Sequence, residues 1–416
     1  MRGKLTGFLL MTGAIAVASA FAVMAAGWTT NGSGEQVYQN ADGSIVKNSW
    51  IKADNNGTTA WYYATNNGAL KVSAWQKVGD SYYYFDDYGV MQTGWVDDYK
   101  YYCNPSNGAM ITGWKQLAIP DEYQDNGEDY TSGENAWFYF NPSNGEKVAS
   151  EDDDVLVRKI DGTAYGFDEN GVMTTGWAKT EDKSPELAGY CYFAEKTDSK
   201  FKLGQRVEGT WYTTYGPTDD GGDTDTSLAT GDVEYFYFKS NGHPVVGGSE
   251  VCLVERINGK IFLFNKYGNP ATGLQYGSKD INVTTSDADV YYCGDSKSNS
   301  SATTGKKISV TDDGGESITI LLQSNAKGVT GERSGYLYYQ GKLQKAETGS
   351  KYMICVVDGE QYVVNQSGFV MKNKTKLKDA DGNIMNTSSS GAPENYNGDT
   401  FESFTAAGPE IDTDDL

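Results

Sequence analysis

Between Trp75 and Trp114 the chain writes one phrase twice, WQKVGDSYYYFDDYGVMQTG and then WVDDYKYYCNPSNGAMITG. Each copy holds an aromatic run, a polar turn closed by Gly, a short apolar pair ending in Met, and Thr-Gly before the next Trp. The copies are 20 and 19 residues long. That period leaves room for one β-hairpin and a link, and a lone hairpin cannot bury its own apolar face. Such a chain can fold only by stacking hairpin on hairpin. The expected class is all-β, a hairpin-repeat solenoid, and its function should lie in what the stacked aromatic surfaces hold.

The rhythm runs well beyond these two copies. GWTTNGSGEQVYQNADGSIVKNSW leads to Trp50, and KADNNGTTAWYYATNNGALKVSAW leads on to Trp75. Short alternating runs (WYYA, YYYF) read as strands, and NNG, DYG and ADG supply turns whose Gly or Asn takes the positive backbone angle. A polar stretch, Leu117 to Glu134, reads as a long acidic loop before AWFYFNPSNGEKVA resumes the pattern. KIDGTAYGFDENGVMTTGW closes at Trp177, and a looser copy reaches Trp211. Residues 217–232 lack apolar periodicity and read as a linker or long loop, with a loose joint expected there. The Asp pair at 223 and 225 lacks the ordered spacing of a calcium loop.

The second half keeps the strand–turn–strand rhythm in EYFYFKSNGHPVVGG, GKIFLFNKYGNPATG and EQYVVNQSGFVMKN, but Leu274 stands where Trp stood earlier. The expected organisation is therefore a signal peptide at 1–26 and a repeat array at 27–211. An acidic linker or long loop at 212–232, degenerate hairpins at 233–376 and a largely disordered acidic tail at 377–416 complete it. The signal reading rests on Arg2 and Lys4 ahead of an uncharged apolar run ending in small residues, with cleavage after Ala25 or Ala26. The chain is expected to be secreted and held at a cell wall or surface, with no membrane span after cleavage.

Formal charge is −22, or −24 without Arg2 and Lys4, which disfavours nucleic acid and anionic lipid as partners. With 30 Tyr, 15 Phe and 9 Trp the chain is too aromatic for disorder over most of its length. Five widely spaced Cys form neither a disulfide framework nor a metal pattern, and Cys103 and Cys191 read as small hydrophobes on strands. The single His, His243, sits in an SNGHP turn and reads as solvent-exposed. No nucleophile elbow, phosphate loop or zinc helix is present, so no enzyme and no cofactor are expected. The aromatics carry more information. On a strand Trp61 and Tyr63 share one face, as do Tyr82 and Tyr84, so rings gather where hairpins meet. Rings around a crevice can cage a quaternary ammonium, and a flatter set can stack on sugars.

VGDSYYYFDDYGVMQTGW and GTAYGFDENGVMTTGW resemble the choline-binding or cell-wall-binding repeats of Gram-positive surface proteins. Related repeats occur in clostridial toxins and glucan-binding proteins. The resemblance is strong from about Trp28 to Trp177, fair to Trp211 and skeletal from 233 to 376. It implies a left-handed β-solenoid with a cage at each junction. By that resemblance Trp50 and Trp61 would form one cage with Tyr83 or Tyr84, and Trp75 and Tyr82 a second with Tyr101 or Tyr102. Trp114 and Trp137 would form a third with Tyr165, and Met91, Met110 and Met173 take the family's Met position beside the rings. Lys100, where the Trp95 cage needs an aromatic, and Ala164 break the pattern, so complete cages are expected only in the first half. The resemblance implies non-catalytic attachment to phosphocholine of wall teichoic acid. Binding of wall or extracellular glycans, or a structural and protein-binding role, are the alternatives.

Overall fold

Asp86 shows how the sequence makes its turns. Its side-chain Oδ1 accepts hydrogen bonds from the amides of Tyr88 and Val90, its carbonyl accepts from Gly89, and Gly89 turns back at φ +78°. Asn104, Asn141, Asp168, Asn265, Asp312 and Asn365 accept in the same way in later copies. Every such turn ends one strand and starts the next short segment, and the result is a series of antiparallel hairpins. A computed structural model describes residues 25–55, 57–126, 133–218, 225–294, 296, 300–395 and 401–413. Almost all of the expected signal segment lies outside them. The chain divides into two units, 1–148 and 149–416.

Among the described residues the first unit holds five two-stranded hairpins, each antiparallel. They are β1 (Gly27–Thr30) with β2 (Gln36–Gln39), β3 (Ser49–Asn55) with β4 (Thr58–Ala64), and β5 (Ala74–Val78) with β6 (Ser81–Phe85). They continue with β7 (Gly94–Val96) and β8 (Tyr101–Cys103), then β9 (Gly113–Ala118) and β10 (Asn135–Phe140). Asp121–Asn126 forms a 3₁₀ turn inside the expected acidic loop.

One position is the core of this plan. The last residue of the second strand in the later four hairpins, Ala64, Phe85, Cys103 and Phe140, is fully buried. Opposite it across the hairpin stands a small residue, as in Ala74↔Phe85, Gly94↔Cys103 and Gly113↔Phe140. The small partner leaves room for the ring and places the following Trp beside it. Cys103 is one of these core residues, and burial pushes its thiol up to about 11. All five cysteines are free and buried.

Consecutive hairpins are stapled by backbone. The amides of Leu70, Met91, Met110 and Lys147 each donate to a carbonyl of the preceding hairpin, those of Gln36, Trp61, Tyr82 and Lys100, at 2.8–3.0 Å.

The second unit repeats the plan with β11 (Leu156–Ile160) and β12 (Thr163–Phe167), β13 (Gly176–Lys179) and β14 (Tyr190–Phe193), and β15 (Thr210–Thr214) and β16 (Glu234–Phe238). Sheets then widen. β17 (Cys252–Ile257), β18 (Lys260–Phe264), β19 (Gly273–Ser278) and β20 (Asp289–Cys293) pair in the order 18-17-19-20, with β17 and β19 parallel. A five-stranded sheet follows from β21 (Lys307–Thr311), β22 (Ser317–Leu321), β23 (Gly331–Arg333), β24 (Tyr336–Tyr339) and β25 (Lys342–Leu343). The buried position persists in Phe167, Phe193, Phe238, Phe264 and Cys293.

Three expectations change here. The division of the chain falls after Val148, and the described residues of 217–232 lie between the paired strands β15 and β16. Leu228 and Ala229 among them are buried, which anchors that stretch. The tail from 377, where described, is ordered. β26 (Tyr352–Val357) pairs with β27 (Glu360–Asn365), and β28 (Leu377–Lys378), β29 (Ile384–Thr387) and β30 (Pro393–Glu394) form a further sheet. β31 (Ser403–Thr405) then lies parallel to β26. Leu377, Met385 and Phe401 supply the apolar contacts that composition underrated, packing with Ile354 and Val363. His243 is not exposed either, as its side chain keeps 13% of its free surface.

Candidate ligand-binding junctions

Register decides which rings meet. Trp50 lies opposite Tyr63 and Lys52 opposite Trp61; Trp75 lies opposite Tyr84 and Lys77 opposite Tyr82. Trp95 faces Tyr102, Trp114 faces Tyr139, and Gln116 faces Trp137. Each Trp therefore meets its own cross-strand Tyr, at 5.4, 5.2, 5.2 and 5.1 Å between centroids. On its other side it meets a ring of the next hairpin: Tyr83 at 4.7 Å for Trp50, Tyr101 at 5.0 Å for Trp75 and Phe138 at 5.1 Å for Trp95.

The first junction brings together Trp50, Trp61 and Tyr83. Trp61 stands 6.1 Å from Trp50 at 87°, Tyr83 stands at 83° to the same indole, and Trp61 is 41% exposed. At the second, Trp75 meets Tyr84 and Tyr101, and Tyr82 occupies the register position of Trp61 with equal exposure. Of the two alternatives at each cage, the next-hairpin partners are thus Tyr83 and Tyr101. Tyr84 and Tyr102, one residue on, are the cross-strand partners of Trp75 and Trp95, because side chains alternate. Trp114 and Trp137 meet at 6.4 Å, nearly perpendicular. Tyr165 belongs to the second unit, where it is buried opposite Arg158 on β11. Met91 donates its amide to the Trp61 carbonyl at 2.8 Å and packs its sulfur beneath Gly108.

The field around these rings has two signs. Burial first, then Asp97, Asp87 and Asp86, push the Tyr84 phenol up; burial, Glu146 and Asp97 do the same at Tyr101. The carboxylates favour a cation near the second junction. Against them, the Lys52 ammonium lies 5.5 Å from the Trp61 centroid and that of Lys77 5.7 Å from Tyr82.

The second unit holds two Trp clusters that sequence reading passed over. Trp177 meets Tyr192, Phe236 and Phe238, donates from Nε1 to the Tyr215 carbonyl at 2.6 Å, and packs with Leu187, Leu228 and Val246. Apolar side chains fill that crevice. Trp211 meets Tyr237, Phe262 and Phe264 at 5.1–5.7 Å, and Tyr235 stands at the register position of Trp61, 40% exposed. The signal lay in TWYTT and EYFYF, which the long loop separates in sequence.

Among the described residues no group of three or more His, Cys, Asp and Glu is placed to hold a metal ion. Cys191 and His243 approach at 3.9 Å, with Glu181 2.7 Å from Nε2 and the Tyr190 carbonyl 3.1 Å from Nδ1. Burial pushes the Cys191 thiol up, and the sulfur is closed to solvent, so this group joins a turn to a strand and a loop.

The chain is similar in structure to choline-binding repeat proteins of low identity. Crystalline CbpF in complex with ipratropium covers 83% of this chain and 99% of its own at 19% identity, with a TM-score of 0.35. Choline binding protein F from Streptococcus pneumoniae covers the same shares at 20% identity and a TM-score of 0.32. The choline-binding domain of CbpL from Streptococcus pneumoniae covers 59% of this chain and 96% of its own at 19% identity and a TM-score of 0.32. No protein-family model matches the chain, and no curated protein matches it.

Proposed function

We propose that the chain is a non-catalytic wall-attachment protein that seats choline-like groups of wall polymers in the aromatic junctions of its first unit. The observation that carries this reading is the corner made by Trp50, Trp61 and Tyr83, with ring planes close to perpendicular and one wall open to solvent. Ring faces set at right angles present negative quadrupole on several sides of one point, which suits a compact, weakly hydrated cation. The second junction sets Trp75 against Tyr101 within the field of Asp97 and Glu146, with Tyr82 at the register position of Trp61 as its proposed third wall. Trp114 and Trp137 supply two walls of a third. Export through a signal segment at 1–26, residence at the wall, and closure of the hairpins into a solenoid with a degenerate second half belong to the same reading.

A glycan ligand is the second reading, and Lys52 and Lys77 favour it. Their ammonium groups already lie against Trp61 and Tyr82, which costs a cation and not a sugar. Choline titration followed by Trp fluorescence, beside a pull-down on dextran and peptidoglycan, separates the two. The expected result is saturable quenching by choline that Trp75→Ala weakens about tenfold, the scale of one lost cation–π wall. Retention on glycan with no response to tens of millimolar choline, about 2–3 kcal/mol of binding free energy, would replace the first reading by the second.

A further inference from the structure

Three successive junctions of the first unit follow one plan until the third exchanges a residue. Met91, Met110 and Lys147 occupy equivalent places. Each bridges the buried end of its own hairpin, Phe85, Cys103 and Phe140, and each donates its amide at 2.8 Å to the preceding hairpin, at Trp61, Tyr82 and Lys100. An ammonium therefore stands where two earlier junctions have a thioether. At that same junction Lys100 takes the place of the exposed aromatic, and its own side chain points into solvent.

The Lys147 ammonium is enclosed by rings. It lies 5.5 Å from the Trp95 centroid and 5.0 Å from that of Tyr123, and donates to Tyr123 Oη at 2.7 Å. Tyr123 comes from the 3₁₀ turn of the acidic insertion and is buried. Tyr99 closes the set, 5.7 Å from Tyr123 and 6.1 Å from Trp95, and its hydroxyl is hydrogen-bonded to Glu122. Asp97, Asp98 and Tyr99 all hold positive φ, a run that turns Tyr99 back onto Trp95. The Trp95 ring on one side and the Tyr123 phenol oxygen on the other are the elements of a cation site around one ammonium.

We propose that the Trp95 junction is a cation site whose occupant is the chain's own Lys147, which closes it to external ammonium ligands. The insertion at 117–134 supplies the second wall, Tyr123, and so builds the site around the lysine. This deepens the reading of the Trp50 and Trp75 junctions as cation sites, by stating which junction of the unit does not take part.

Calorimetric titration of the full chain with tetramethylammonium chloride, against sodium chloride of equal ionic strength, tests it. Lys147→Met restores the residue type of the earlier junctions and should bind one more equivalent than the wild type. Adding Trp95→Leu should abolish the gain, and Lys147→Arg should show none. If the wild type binds and Lys147→Met adds nothing, the proposal falls and the reading of the Trp50 and Trp75 junctions stands. If only Lys147→Met binds, the proposal stands and that reading falls. No binding by either chain overturns both. A measurement on the wild type alone guards against a variant that fails to fold: acylation of surface amines, read by mass spectrometry, should modify Lys147 about tenfold more slowly than exposed Lys100. Equal rates would overturn the enclosure.

Discussion

At Gly108 the backbone turns through φ +73°, and a Cβ there would collide with the sulfur of Met91. Gly145 and Gly204 stand over Met110 and Met173 in the same way. Gly108→Ala meets both penalties at once, and should destabilise the first unit by about 2–4 kcal/mol in denaturant unfolding followed by Trp fluorescence. Tyr99 gives a second test. Its hydrogen bond to Glu122, ahead of burial, raises the phenol to about 12. Unfolded tyrosine ionises near 10, so the stability this bond contributes is complete below about pH 10 and is lost as pH rises toward 12. Glu122→Gln should bring Tyr99 ionisation back toward the ordinary value in an alkaline absorbance titration; an unchanged curve would mean the bond is not made. The Gly-over-Met pairing was half legible, since GVM and GAM repeat in the sequence, but their contact joins different hairpins. That Lys147 shares their position was legible too, since NPSNGEK at 141–147 repeats NPSNGAM at 104–110 with Lys in place of Met. By contrast, His243 looked exposed because SNGHP is a turn, yet Glu181 and Tyr190 reach it from loops and strands more than fifty residues away in sequence.

Among the elements, hairpins were the most legible feature, because turn chemistry and strand alternation both act within about ten residues. The Trp211 cluster was not, since its two strands are separated by a loop that composition marks only as acidic. That loop is an anchored part of its hairpin. Leu228 packs with Leu187 and Val246 against Trp177. Leu228→Ala should cost about 2–4 kcal/mol in the stability of the second unit, near the lower half of the range for such core truncations. Trp177 emission reports the change directly, and an unaltered unfolding midpoint would show that the loop carries no packing energy. The tail from 377 was misread for a related reason. Few branched apolars in NTSSSGAPENYNGDTFESFTAAG suggested disorder, but β31 needs only a backbone partner on β26 and a socket for Phe401.

At the level of the whole molecule, each hairpin relies on its neighbours, so stability should be close to a sum of repeat and interface terms. Separating the chain between Val148 and Ala149 should leave a fragment 27–148 that keeps strand circular dichroism and the Trp50 and Trp75 junctions. Loss of strand signal would show that the two units fold only together. The central claim is that those junctions hold quaternary ammonium groups. Crystallographic difference density after soaking the full chain in choline tests it most directly. Density is expected between Trp50, Trp61 and Tyr83, and between Trp75, Tyr82 and Tyr101, with none displacing Lys147 from Trp95 and Tyr123. Density at neither of the two junctions, at a choline concentration that saturates the fluorescence change, would contradict it.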